Sequence, residues 1–294
     1  MKSVTDGFSN AFLIATILLA LAVISGLHAN PAILLTVLVT SVIFLGLPHG
    51  ALDPLVAQSV FPGSSKLVFY LLYSLASALV VLLWIACPRF ALAGFLVISA
   101  YHFGSDLGGE SPLWIRACYG LTILTIPCVL YGKDVAVIYQ MLAGSTTGYY
   151  VMLSRCIAYL AGVITLSAML LKVKSDPRRA AEFGVILLSG ITFPPILFFC
   201  CYFGLLHSPR HLVETASALG LKTLRSVLGI TAPIVATTLS LAAIAWCFSS
   251  RYALQQRVLL IVFVGLAALT VPHMLLEACA ERWLSHTATD EVSR

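Results

Sequence analysis

Charge is what this sequence has least of. Only 10% of its 294 residues are Asp, Glu, Lys or Arg, against about 25% in an ordinary soluble domain. With 60% hydrophobic residues and a mean hydropathy of +1.00, the chain cannot clothe itself in a water-facing shell. Several chemical signatures are missing too. No Gly-x-Gly-x-x-Gly occurs, so there is no dinucleotide cradle. No Cys-x-x-Cys occurs among the eight cysteines; nearly all of them fall in apolar runs as small hydrophobes, supporting neither a thiolate metal site nor a disulfide framework. No His-Glu-x-x-His occurs, because Ser208 follows the histidine where the glutamate of a zinc protease would stand. The net charge of +5 does not indicate nucleic acid. Its most compact cluster, Lys172, Lys174, Arg178 and Arg179, is a short polar break between apolar runs and reads as a cytoplasmic loop.

What is present is a succession of apolar segments, at approximately 11–28, 32–49, 67–87, 90–104, 113–131, 149–171, 183–206, 226–248 and 257–280. A hydrocarbon core of about 30 Å needs roughly 20 residues of helix. The pattern therefore predicts one all-α domain over residues 1–294, a polytopic integral membrane helical bundle with about 8–10 transmembrane helices. The polar stretch Met1–Asn10 and the lack of a small-residue cleavage signature read the first run as a retained span. With nine spans and a cytoplasmic 172–179 break, the N-terminus is cytoplasmic as well.

Histidine is the unexpected residue in such a chain. Of seven, His49, His102, His207, His211 and His273 sit inside apolar stretches, where an ionisable side chain costs free energy and marks function. His28 and His286 lie at segment ends, as solvated interfacial groups. His207 and His211 are four apart, on one helix face and one turn from each other. Counted from their helix starts, His49, His102 and His273 lie roughly 18 to 26 Å along, at a shared depth. His207 joins them at about 18 Å if its helix restarts at Pro194-Pro195.

Acids accompany the histidines. Asp53, Asp106 and Glu277 follow His49, His102 and His273 by four, and Glu214 follows His211 by three. Metal-bound imidazoles commonly donate their other N–H to a carboxylate or carbonyl. Whether these acids serve the histidine of their own helix, serve one on a neighbouring helix, or are ligands themselves stays open at this point. Imidazole ligation suits Zn, Cu, Fe or Ni, and spacing does not separate iron from zinc. Four ligands to one ion is the natural count. Arg210 can pair with Glu214 one turn on. Tyr101, Phe103, Phe193, Phe198, Phe199, Tyr202 and Phe203 are candidates to line an apolar tunnel or simply to pack between helices.

The phrases Pro-His-Gly-Ala-Leu-Asp at 48–53, Tyr-His-Phe-Gly-Ser-Asp at 101–106 and His-Ser-Pro-Arg-His at 207–211 together resemble the Brp/Blh family of membrane β-carotene 15,15'-dioxygenases. The resemblance runs from about His49 to Glu277. It implies a ferrous ion, Fe(2+), that activates O2, and cleavage of the central double bond of β-carotene into two all-trans-retinal. It implies His49, His102, His207 and His211 as iron ligands. His273 is a family position whose role as ligand, supporting group or substrate contact is open. By their spacing, Asp53, Asp106, Glu214 and Glu277 are expected as supporting groups or further ligands, and Tyr101, Phe103, Phe198, Tyr202 and Phe203 are the candidates for lining a substrate tunnel. It further implies a multi-pass protein of the cell inner membrane, with a functional link to a retinal-binding rhodopsin. Two other readings remain: another histidine–metal membrane enzyme, such as a lipid hydrolase or hydroxylase, and a non-enzymatic carrier of retinoids or carotenoids.

Overall fold

Proline writes many of the helix starts. Pro31, Pro54, Pro88, Pro177 and Pro195 each stand in a first turn, where a missing N–H costs nothing and a fixed φ favours the helix. The computed structural model describes residues 2–26, 30–61, 63, 65–109, 111–144 and 148–292, and among these no strand occurs. His28 lies outside the described residues, as does the side chain of His286.

The helices in order are α1 (Lys2–Ile24), α2 (Pro31–Ser41), α3 (Leu47–Gly50), α4 (Asp53–Val60), α5 (Lys66–Ala86), α6 (Pro88–Gly104) and α7 (Leu113–Thr125). After them come α8 (Cys128–Ala143), α9 (Gly148–Lys172), α10 (Pro177–Thr192), α11 (Pro195–Phe199), α12 (Ser208–Ala218), α13 (Leu224–Phe248) and α14 (Leu254–Val292). Two π-helical segments, Val42–Gly46 and Cys200–His207, join α2 to α3 and α11 to α12. Such segments concentrate at functional sites.

The chain is a multi-pass membrane bundle. Seven lengths among the described residues are long and apolar enough to cross, and an eighth results if α7 and α8, bent by 68°, form one broken span. The expected run at 183–206 is divided. Helix α10 ends at Thr192, Phe193 is extended, and a new helix starts at Pro195, as the paired prolines predict. The run expected at 113–131 bends after Thr125 and continues to Ala143. The basic cluster falls where α9 turns into α10. Of the cysteines, Cys128, Cys200 and Cys201 are buried, but Cys87, Cys156, Cys247 and Cys279 are exposed, so the expectation of small buried hydrophobes fails for those four.

The interior is built around the second π segment, with Tyr202, Leu206 and His207 almost wholly enclosed. Close helix approach there depends on glycine. A Cβ on Gly104 would lie 2.5 Å from the Arg116 carbonyl oxygen, and one on Gly46 would lie 2.7 Å from the Phe203 ring. The first contact sets α6 against α7; the second sets one π segment against the other. Both lie beside histidines.

Candidate metal centre

Five imidazoles converge from four stretches of chain. His49 leaves α3, His102 the end of α6, His207 and His211 the junction of the second π segment with α12, and His273 the middle of α14. The His49 ring centre lies 6.5 Å from that of His102, 5.9 Å from His207, 5.7 Å from His211 and 5.5 Å from His273. Ligand atoms of His49, His102 and His273 all fall within 4.8 Å of one another, as do those of His211, His273 and Glu277. The depth argument thus holds in three dimensions.

Hydrogen bonds assign the ring nitrogens. His49 Nδ1–H donates to the Gly46 carbonyl, with the Ser208 hydroxyl 3.0 Å away. His207 Nδ1 lies 3.0 Å from Asp106 Oδ1, and His273 Nδ1 lies 2.8 Å from Asp53 Oδ1. Each of these rings gives its δ proton outward and turns its Nε2 lone pair inward, the arrangement in which outer partners fix a metal-binding tautomer. His102 Nε2 faces His207 Nε2 at 3.0 Å. His102 Nδ1 and His273 Nε2 are buried without a hydrogen-bond partner. His211 differs: its Nε2 donates to Glu277 Oε1 at 2.6 Å and its Nδ1 lies 3.3 Å from the Thr215 hydroxyl.

Asp53 and Asp106 reach across the bundle rather than along their own helices, and Glu277 does both. Asp53 serves His273, Asp106 serves His207, and Glu277 serves His211 while also lying 3.7 Å from His102 and 3.5 Å from His273. The reason is local. Helix α3 ends at Gly50 before Asp53, and α6 passes into a 3₁₀ turn at Ser105 before Asp106. Neither pair therefore keeps the shared face that a continuous helix would give. Glu214 is exposed and outside the cluster. Arg210 does not pair with it but with Glu182 of α10, at 2.6 and 3.2 Å.

These partners decide the charge of the site. Asp53 and Asp106 are enclosed and Glu277 is partly so, while Arg210 is taken by Glu182. Three carboxylates thus stand among the imidazoles in an apolar interior, where uncompensated charge is costly. A divalent cation offsets most of that charge. The inward Nε2 atoms of His49, His207 and His273, the last without a hydrogen-bond partner, and the Nε2 of His102 that faces His207 would give it nitrogen ligands, so the residues fit a metal of the imidazole-seeking kind.

The aromatics divide. Phe103, Phe198, Tyr202 and Phe203 are buried, whereas Tyr101 is 48% exposed on the outer face of α6 and is not brought to the site. Phe103 lies 4.9 Å from the His207 ring, Phe203 lies 5.7 Å from His49, and Phe198 stacks behind Tyr202. Phe193 is buried, and Phe199 stacks on Phe203. A cleft of about 380 Å³ between α1, α2 and the α11 region is lined by Leu19, Val37, Phe44, Leu45, Leu197 and Leu205, among others, and by none of these aromatics.

Sequence reasoning missed Tyr73, Glu182 and the supporting role of Ser208. Tyr73 gives no signal, being one of four aromatics in an unbroken apolar helix. Glu182 had one: it is an acid just past a basic cluster, at the start of a helix whose neighbours are apolar.

A family model described as beta-carotene 15,15'-dioxygenase matches residues 40–281. A relative from Uncultured marine bacterium 66A03, itself named beta-carotene 15,15'-dioxygenase, is 29% identical over 248 residues, which are 80% of this chain and 90% of that protein. No solved structure matches the chain. The family match takes in every histidine of the cluster and all their acidic partners, and the chain belongs to the beta-carotene 15,15'-dioxygenase family.

Proposed function

We propose that this protein cleaves the central double bond of β-carotene with O2, giving two molecules of all-trans-retinal, at a ferrous ion held by its buried histidines. The observation that carries this reading is the set of inward Nε2 atoms whose rings are fixed from outside by Gly46, Asp106 and Asp53, in a chain of this family. Iron(II) supplies the unpaired electrons that let dioxygen react with a closed-shell polyene.

The residues that would hold it are His49, His102, His207 and His273 through Nε2. His211, tied to Glu277, takes the supporting place. This ordering differs from the one the motifs imply, in which His211 is a ligand and His273 is open. Neutral imidazoles leave the ion its positive charge, and fewer than six ligands leave room for reactants. The protein residues contribute positioning and the exclusion of water: Phe103, Phe203 and Tyr202 close around His207, so the reacting centre is walled by apolar rings. β-Carotene is a rigid hydrocarbon dissolved in the bilayer, and a site within the membrane spares its transfer to water. The whole chain acts as one domain of the cell inner membrane, and retinal released there is available to a retinal-binding rhodopsin.

The test is expression in cells that make β-carotene. Retinal should appear as carotene colour fades, and purified protein should carry iron in stoichiometric amount. Unchanged carotene in membranes that hold the iron-loaded protein, or stoichiometric zinc in place of iron, refutes the assignment. His273→Ala should abolish iron binding, and His211→Ala should weaken it; the reverse order restores His211 as the ligand.

A further inference from the structure

Two of the carboxylates that hold histidines are themselves held by tyrosines. Tyr202 donates its hydroxyl to Asp106 Oδ2 at 2.5 Å while His207 Nδ1 lies 3.0 Å from Oδ1 of the same group. Tyr73 donates to Asp53 Oδ2 at 2.9 Å while His273 Nδ1 lies 2.8 Å from its Oδ1. In both cases one carboxylate oxygen takes the imidazole and the other takes the phenol. The two arrangements share no residue and come from different parts of the chain.

The backbone around Tyr202 is shaped for this. His207 lies five positions after Tyr202, and in an α-helix that step turns about 140° and points the two side chains apart. The segment Cys200–His207 is π-helical, and its i→i+5 bonding brings such residues to the same side. Their rings stack at 6.1 Å with planes 28° apart, and both reach Asp106. The Tyr73 hydroxyl also lies 3.3 Å from the Leu269 carbonyl, one turn before His273 on a helix that contains Pro272.

We infer that Tyr73 and Tyr202 are positioning residues of the metal centre, each fixing a carboxylate so that its histidine, His273 or His207, presents Nε2 to the ion. This rests on the metal-centre reading above but not on carotene as the substrate. A carboxylate in an apolar interior has few other donors to orient it. Removing one phenolic hydroxyl frees the carboxylate to rotate and loosens the imidazole behind it.

The experiment measures Fe(II) affinity of the purified protein in detergent, without oxygen or carotene, by competition with a chelator. Tyr73→Phe and Tyr202→Phe are each expected to weaken binding by about 10- to 100-fold, the range for partners that orient metal-bound histidines. The Co(II)-loaded variants should show an altered d–d absorption spectrum. A role in packing alone is separated by a cycle: in an Asp106→Asn background, Tyr202→Phe should produce no further loss, and Tyr73→Phe should produce none in Asp53→Asn. Affinity and spectrum unchanged in both single variants overturn the inference. So does full additivity in the cycles. A wild-type protein that binds Fe(II) tightly yet leaves carotene intact refutes the proposed reaction and leaves these cycles able to decide the tyrosines. A wild type that takes no divalent ion overturns both.

Discussion

Helix α13 and the stretch Pro195–Ala218 are both long and apolar enough to cross a membrane, yet they are opposites. In the first, 6% of the spanning window is buried in the protein; in the second, 61% is. Thr231 is the buried residue of α13, and its Leu241 and Phe248 point outward, 62% and 83% exposed. The other stretch carries His207, Ser208, Arg210 and His211 inward, along with its π segment. The same apolar composition thus serves two tasks. On α13 it meets lipid, which asks only for hydrocarbon. Around His207 it excludes water from polar groups whose partners must all come from protein.

The sharpest way to break this contrast is at its centre. His207→Ala should cost at least about 100-fold in iron affinity and abolish retinal formation, read by metal analysis and product chromatography. Next comes Arg210→Met, which removes the guanidinium 2.6 Å from the buried Glu182 carboxylate and should destabilise by about 3–5 kcal/mol in thermal unfolding in detergent. Adding Glu182→Leu should recover most of that loss, because an apolar pair of similar volume often replaces a buried ion pair without penalty. Gly104→Ala pushes a methyl group into the Arg116 carbonyl; an overpacking cost of about 1–3 kcal/mol is expected, with weaker iron binding because His102 and Asp106 lie on either side. Trp84→Phe removes the indole hydrogen bond to the Leu142 carbonyl and should cost about 0.5–1.5 kcal/mol. Smallest of all, Leu241→Ala and Phe248→Leu should stay within about 0.5 kcal/mol of wild type. A loss well above that would mean that α13 is covered by protein in the membrane, and the contrast would fall.

How much of this was legible beforehand follows from which interactions are local. The apolar runs, the prolines that start helices, and the restart at Pro195 are read from neighbouring residues, and the structure has them. The five histidines stood out together: one titratable ring in an apolar run can simply hydrogen-bond across helices, but five at a shared depth, each near an acid, do not suit independent packing roles. The pairing of the acids was not legible. Whether Asp53 faces His49 or His273 depends on where α3 ends and how α14 packs, and no local pattern encodes that. Arg210 was matched to Glu214 for the same reason, since a four-residue spacing is visible in sequence and a 28-residue separation to Glu182 is not. Tyr101 was drawn in by its neighbour His102, although adjacent residues on a helix diverge by about 100°. The π segments left no sequence mark at all, and they decide which side of the helix His207 faces.

The crossed pairing has a consequence for how the site comes into being. Asp106 and His207 are 101 residues apart, Asp53 and His273 are 220 apart, and His211 and Glu277 are 66 apart. Two of these three ties close on α14. During synthesis the early helices enter the bilayer with Asp53 already in place and its imidazole not yet made. On the proposed metal centre, loading would follow the insertion of α14, because a chain stopped before it lacks both His273 and Glu277.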